Sequence, residues 1–185
     1  DGQWISFLAQ ETQREELYLI KPSGEGLHQL TKTGQDIFQY EWSPSGKQIL
    51  AVVNNNGSFE LMLIAVTPQG ETESGSPSVL RGDVGIHSNP NWSKDESFIT
   101  FEFEGPVTPP EIYRMDLKTK QISQLTFSNP PAMQKNKFIV PDVISYKSFD
   151  GLEIPAFQYR PEKSNGAAIV YPHGGPKDQY VYGWD

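Results

Sequence analysis

The chain is 185 residues long, lacks cysteine, and carries 15 basic and 23 acidic side chains, for a net charge of −8 and a pI near 4.9. Disulfides and thiolate metal sites are excluded, and an acidic surface leaves no electrostatic footprint for nucleic acid or an anionic membrane. No apolar run approaches the ~20 residues of a membrane-spanning helix, and no signal peptide is visible.

In chain order, the first feature is internal repetition. Three segments align. The first holds Ile5-Ser6-Phe7-Leu8-Ala9, Glu16-Leu17-Tyr18-Leu19-Ile20 and Leu27-His28-Gln29-Leu30-Thr31. The second holds Ile49-Leu50-Ala51-Val52-Val53, Glu60-Leu61-Met62-Leu63-Ile64 and Ser78-Val79-Leu80. The third holds Ile99-Thr100-Phe101-Glu102-Phe103, Glu111-Ile112-Tyr113-Arg114-Met115 and Ile122-Ser123-Gln124-Leu125-Thr126. The leading isoleucine precedes the glutamate by 11, 11 and 12 residues. Glu16 to Leu30 and Glu111 to Leu125 are both 14, whereas Glu60 to Leu80 is 20 because a polar loop is inserted at 67–77.

Two copies carry a preface, Trp42-Ser43-Pro44-Ser45-Gly46 and Trp92-Ser93-Lys94-Asp95-Glu96, seven residues before the isoleucine. Turn chemistry at Ser-Pro-Ser-Gly, Asn55-Asn56-Gly57 and Pro22-Ser23-Gly24 separates the strands. Each unit therefore reads as four strands in about 45 residues, a β-propeller blade. The expected fold is mainly β, with about three blades at 1–34, 35–82 and 83–128. Three blades do not close a ring of four to eight, so further blades are expected upstream. Trp42 and Trp92 are expected to pack between blades rather than serve as a sugar or peptide platform. The repeated glutamate is expected to be structural or solvated, as are His28 and His87 in their repeats.

Residues 128–131 and 134–137 read as an exit linker, which puts the boundary near 130–141 and divides the chain into 1–133 and 134–185. Beyond it, 142–149 and 153–160 form a hairpin across Asp150-Gly151, a strong two-residue turn signal. Residues 167–171 read as a third strand buried on both faces, bounded by Gly and Pro. That strand runs into His173-Gly174-Gly175-Pro176. Two successive glycines let the backbone bend sharply and approach a ligand closely, and Pro176 fixes φ and lacks an N–H. A helix could begin after Pro176.

Ile144-Ser145-Tyr146-Lys147-Ser148-Phe149-Asp150-Gly151-Leu152-Glu153-Ile154-Pro155-Ala156-Phe157, followed by Val170-Tyr171-Pro172-His173-Gly174-Gly175-Pro176, resembles the start of the hydrolase domain in the prolyl oligopeptidase family of serine peptidases. The acylaminoacyl-peptidase branch is the nearest match. The Trp-Ser-Pro turn resembles blades of TolB-like and prolyl-oligopeptidase propellers. The resemblance implies a β-propeller joined to an α/β-hydrolase domain, of which 134–185 would be the N-terminal part. It also implies that Gly175 N–H forms part of an oxyanion hole, that Gly174 permits the turn, and that His173 orients the loop where relatives place a tyrosine.

Acyl transfer needs a nucleophile, a base, an orienting acid and an oxyanion hole. The nucleophile elbow Gly-x-Ser-x-Gly does not occur in these residues. The hydrolase order is Ser, Asp, His, so the triad is expected downstream of Asp185, and His173 is a poor candidate for the base. Tyr180, Tyr182 and Trp184 are expected to pack or to cover the site.

The expectation is an internal fragment of a serine peptidase acting on short or N-acylated peptides, without cofactor or metal. By itself the fragment is expected to be inactive and to self-associate through uncovered apolar surface. The alternatives are a protein-binding propeller with a degenerate hydrolase remnant, or an esterase. Absence of cysteine does not fix a compartment; the expectation is cytoplasmic.

Overall fold

Strand β5 explains how the repeats pack. In a computed structural model, which describes residues 2–11, 13–74, 76–131, 133, 138–175 and 178–184, β5 spans Gln48–Asn55 and Ile49 through Val53 are all buried. Successive side chains on a strand point to opposite faces. Accordingly Ile49, Ala51 and Val53 enter one core with Leu17, Leu19, Leu30, Ile37 and Ile64. Leu50 and Val52 enter a second with Leu61, Ile99, Phe101 and Met115. Each fully buried aliphatic side chain contributes about 1.5–3 kcal/mol relative to exposure, so the middle repeat is held from both sides.

The described residues form three sheets. Strands β1 (Ile5–Ala9), β2 (Glu16–Ile20) and β3 (His28–Gln29) make an antiparallel meander. Strands β4 (Ile37–Trp42), β5, β6 (Ser58–Ala65) and β7 (Ser78–Arg81) make a second, four-stranded one. Strands β8 (Ile86–Trp92), β9 (Phe98–Gly105), β10 (Thr108–Asp116) and β11 (Ile122–Gln124) make a third. The second and third meanders are stitched by a single parallel pair, Phe59 with Ile86. Strands β12 (Asp142–Lys147) and β13 (Glu153–Gln158) pair only with each other.

The turns repeat in atomic detail. Ser43 and Ser93 each close a turn after the tryptophan, donating N–H to the carbonyls of Gln48 and Phe98 at 2.8 and 2.9 Å. Their hydroxyls accept the N–H of those same residues at 3.2 and 3.1 Å. The inserted loop at 67–77 folds back over the first meander, where the Trp4 indole donates to the Pro68 carbonyl at 3.4 Å.

Two expectations change. Residues 167–171 are not a strand: Ile169, Val170 and Tyr171 are 94%, 87% and 79% exposed. A strand buried on both faces needs ladder partners on either side, and among the described residues β12 and β13 offer it none. Strands β3 and β11 are also shorter than the repeats suggest. The Leu30 and Thr31 amides both turn onto the Leu17 carbonyl, at 2.7 and 3.3 Å, so the chain bends there. The linker at 134–137 and Pro176 lie outside the described residues. Residues 178–184 contain no helix.

Candidate functional site

The 173–175 turn is presented at the surface, with all three residues exposed. The positive φ falls on Gly175, at 71°, and not on Gly174. A Cβ on Gly174 would meet nothing within 4 Å, so the space in front of it is open. Among the described residues, neither glycine N–H has a hydrogen-bond partner, while His173 Nδ1 lies 3.1 Å from the Gly174 carbonyl. Amides without a partner among the described residues, on an exposed double-glycine bend, can meet an anionic oxygen.

Tyr180 holds this turn to the rest of the chain. Its ring packs edge-on to His173, with centroids 6.1 Å apart, and lies 6.0 Å from Tyr171. Beyond it, Tyr182 donates its N–H to the Gly57 carbonyl at 2.9 Å and packs on Phe157 of β13 at 4.5 Å. Trp184 packs edge-on to Phe138 at 4.6 Å. The aromatic run thus packs, as expected, but against the β5–β6 turn and the hairpin.

The other singled-out residues have structural roles. Trp42 donates its indole N–H to Ser6 Oγ at 2.8 Å, and Trp92 donates to the Glu41 carbonyl at 3.2 Å, each reaching into the preceding meander. Glu16 is buried and accepts bonds from Thr31 Oγ1 at 2.5 Å, Thr33 Oγ1 at 3.0 Å and Gly34 N at 2.9 Å. Glu111 is buried in the same position and accepts from Thr126, Ser128 and Asn129. The Thr126 hydroxyl, with the Ser128 and Asn129 donors, holds its carboxyl below the usual range against the opposing effect of burial. Glu60 instead accepts from Asn55 Nδ2 at 2.8 Å.

His28 sits between two carbonyls, Gly26 and Gly70, at 2.7 Å each. His87 is fully buried against Phe101 and Phe103, with Nδ1 2.6 Å from the Phe59 carbonyl. A carbonyl only accepts, so Nδ1 carries the proton and Nε2 is left without a partner. Burial lowers its pKa to about 4; the Phe59 carbonyl opposes the shift, Arg81 adds to it and Asp83 opposes it. No three His, Asp or Glu side chains among the described residues converge to hold a metal ion.

A groove of about 380 Å³, with no residue of the 173–175 turn in its lining, lies between Phe38 to Glu41 of β4, Asn89 to Asn91 of β8, and Leu8. Both strands are irregular there, with register shifts between Ile37 and Gln39 and between Ser88 and Asn91. Sequence reading missed this feature, whose signal is the Asn-Pro pair interrupting β8.

No family model and no curated protein sequence matches the chain. Solved structures do. Acylaminoacyl peptidase in complex with Z-Gly-Gly-Phe-chloromethyl ketone superposes with a TM-score of 0.76 at 20% identity, over 100% of this chain and 28% of that one. Dipeptidyl peptidase 4 of Porphyromonas gingivalis gives 0.74 at 14% identity, over 100% and 26%. TolB from Acinetobacter baumannii gives 0.54 at 24% identity, over 88% and 36%. At these identities the likeness establishes the fold: mainly β, with open sheets of the kind found in these propeller-bearing proteins. The chain spans roughly a quarter to a third of their lengths.

Proposed function

We propose that the chain is part of a serine peptidase of the prolyl oligopeptidase type. In this reading the three meanders are consecutive propeller blades within 1–133. Residues 134–185 open an α/β-hydrolase domain. Gly175 N–H faces the oxyanion of the tetrahedral intermediate, Gly174 leaves room for the scissile carbonyl, and His173 orients the loop. A donor of this kind contributes about 3–4 kcal/mol of transition-state stabilisation. The Ser, Asp and His of the triad belong to the remainder of the parent protein. The substrates are short or N-acylated peptides, and the propeller limits entry by size. A cytoplasmic setting suits such substrates.

One observation carries the reading. The whole chain, including the segment after 133, superposes on two peptidases, and that segment presents an exposed His-Gly-Gly turn. Labelling with a fluorophosphonate probe tests it. The parent protein is expected to react at a single serine outside these residues, and the 185-residue chain alone is expected not to react. A parent that stays unlabelled and cleaves no peptide would favour a protein-binding propeller, for which the groove between β4 and β8 is the candidate surface.

Self-association of the isolated chain is part of the same reading. Val143, Tyr146, Phe149 and Leu152 of the hairpin are all more than half exposed, and both hairpin edges are open. Light scattering is expected to give a mass above that of the monomer.

A further inference from the structure

We infer that the Asn56-Gly57 turn is a positioning device for the 173–175 turn, acting through Tyr182 and Tyr180. The inference rests on the peptidase reading for its consequence in catalysis, but its geometry stands apart from it.

Asn56 and Gly57 have φ of 54° and 88°, the pair of positive values that a two-residue hairpin needs. Asn54 Oδ1 accepts the Gly57 N–H at 2.8 Å and braces the turn from within. In an isolated hairpin of this type the carbonyl of the second turn residue faces water. Here it accepts the Tyr182 N–H, from a segment far away in sequence. The approach is close: a Cβ on Gly57 would lie in van der Waals contact with the Tyr180 carbonyl oxygen at 3.4 Å and with Phe157 Cζ at 3.6 Å, and the φ of 88° disfavours any side chain there.

The next residue is seated as closely. A Cβ on Gly183 would lie 3.3 Å from Glu104 Oε1 and 3.8 Å from Ile86 Cγ1. Ile86 is one half of the single parallel pair that joins the second and third meanders, and Phe59, two residues after Gly57, is the other. Tyr182 and Gly183 therefore straddle the seam between two meanders. Tyr180, just upstream, carries the ring that packs on His173 and Tyr171. A shift at the seam reaches the 173–175 turn through the Tyr180 ring, two residues before Tyr182.

The test uses the full-length protein with two variants. Gly57→Ala strains the turn at a φ of 88° and shifts the carbonyl that Tyr182 bonds. Tyr182→Pro removes the N–H donor, and with it the ring on Phe157, but leaves the Asn56-Gly57 turn unaltered, so a misfolded turn is not confused with a released tail. Cross-relaxation between the Tyr180 and His173 rings, read by NMR, is expected to fall about fivefold in both, the factor one backbone hydrogen bond supports, while hydrogen exchange in β5 and β6 is expected to stay unchanged in Tyr182→Pro. Peptide hydrolysis is expected to lose about tenfold or more in kcat with KM nearly constant, because the oxyanion donor is displaced rather than removed. An unchanged ring contact in both variants overturns the inference, as does a weakened contact with unaltered kcat. If the wild-type protein cleaves no peptide while the contact weakens in the variants, the peptidase reading fails and the mechanical link stands.

Discussion

Thr31 donates its hydroxyl to the buried carboxylate of Glu16 at 2.5 Å, and the same hydroxyl accepts the Leu17 N–H at 3.0 Å. The arrangement recurs at Thr126, which donates to Glu111 and accepts the Ile112 N–H at 2.9 Å. In the first and third repeats the chain bends after its last strand, and the repeated glutamate collects the orphaned donors. Replacing Glu16 by Ala strands the buried Thr31 hydroxyl and frees the Gly34 amide, which is exposed, while the Thr33 hydroxyl still has the Gln35 carbonyl at 2.9 Å. Unsatisfied buried donors cost about 1–3 kcal/mol each, less where water enters. Glu16→Ala is expected to lower unfolding stability by about 2 kcal/mol in urea, and Glu16→Gln, which keeps two of the three acceptor contacts, by less. Equal losses in the two variants would show that the charge rather than the hydrogen-bond count matters.

This clamp was half visible in the sequence. The repeated Glu and the repeated Leu-Thr were there to be seen, and they supported a structural role for the glutamate. That the threonine is its partner was not, because the contact needs the bend that shortens β3 and β11. Strand positions themselves were readable, since alternation of Ile49 to Val53 between two cores is a local pattern. Residues 167–171 were misread for the opposite reason. An apolar run records that burial is needed somewhere, but the ladder that would bury it is not local. The Gly57 to Tyr182 bond left no trace beyond Asn-Gly at one end and alternate aromatics at the other. The 173–175 turn was legible as a motif, while the packing of Tyr180 on His173 was not.

His87 predicts the shape of the acid limb. Its pKa is near 4 in the folded chain against 6.5 ordinarily, so the unfolded chain binds the extra proton between those values. Stability is therefore fully present above pH 6.5 and is lost as pH falls toward 4, by about 3 kcal/mol in all at 1.36 kcal/mol per pH unit. Glu111, whose pKa is lowered by its donors, adds a further loss as pH falls below its ordinary value of 4.5. His87→Phe, set among Phe101 and Phe103, takes up no proton. Its urea midpoint is expected to be flat from pH 6.5 to 4.5 and then to fall, whereas the wild-type midpoint slopes throughout.

Glu96 occupies the turn position that Gly46 holds in the preceding repeat, at φ 56°. Its carboxylate reaches back to Ser45, accepting the N–H at 2.5 Å and the hydroxyl at 3.2 Å. Left-handed backbone costs a non-glycine residue about 1 kcal/mol, and an exposed charge-assisted bond returns about as much. Glu96→Gly removes both and is expected to change stability by less than about 0.5 kcal/mol. Glu96→Ala keeps the strain and loses the bonds, and is expected to cost about 1–2 kcal/mol. Chemical denaturation of the pair separates the two effects. A Gly variant as unstable as the Ala variant would mean that the carboxylate bonds alone decide.

Gly85 tests the seam between the second and third meanders. Its carbonyl accepts the Phe59 N–H at 2.8 Å, and its N–H donates to Ser58 Oγ at 3.1 Å. A Cβ there would sit 2.3 Å from the Glu104 carbonyl oxygen and 2.6 Å from Phe103 Cε2. The first of these is backbone held in the β8–β9 ladder, so it does not step aside cheaply. Gly85→Ala is expected to cost about 3 kcal/mol, at the upper end for overpacking. Because the single Phe59 to Ile86 pair lies next to it, hydrogen exchange should quicken first at Phe59 and Ile86 rather than in β1 to β3. Gly174→Ala is the control: its Cβ meets open space, and its unfolding midpoint should stay within about 0.5 kcal/mol of wild type. A Gly85 variant as stable as the Gly174 variant would mean that β8 and β9 slide apart at this point without resistance.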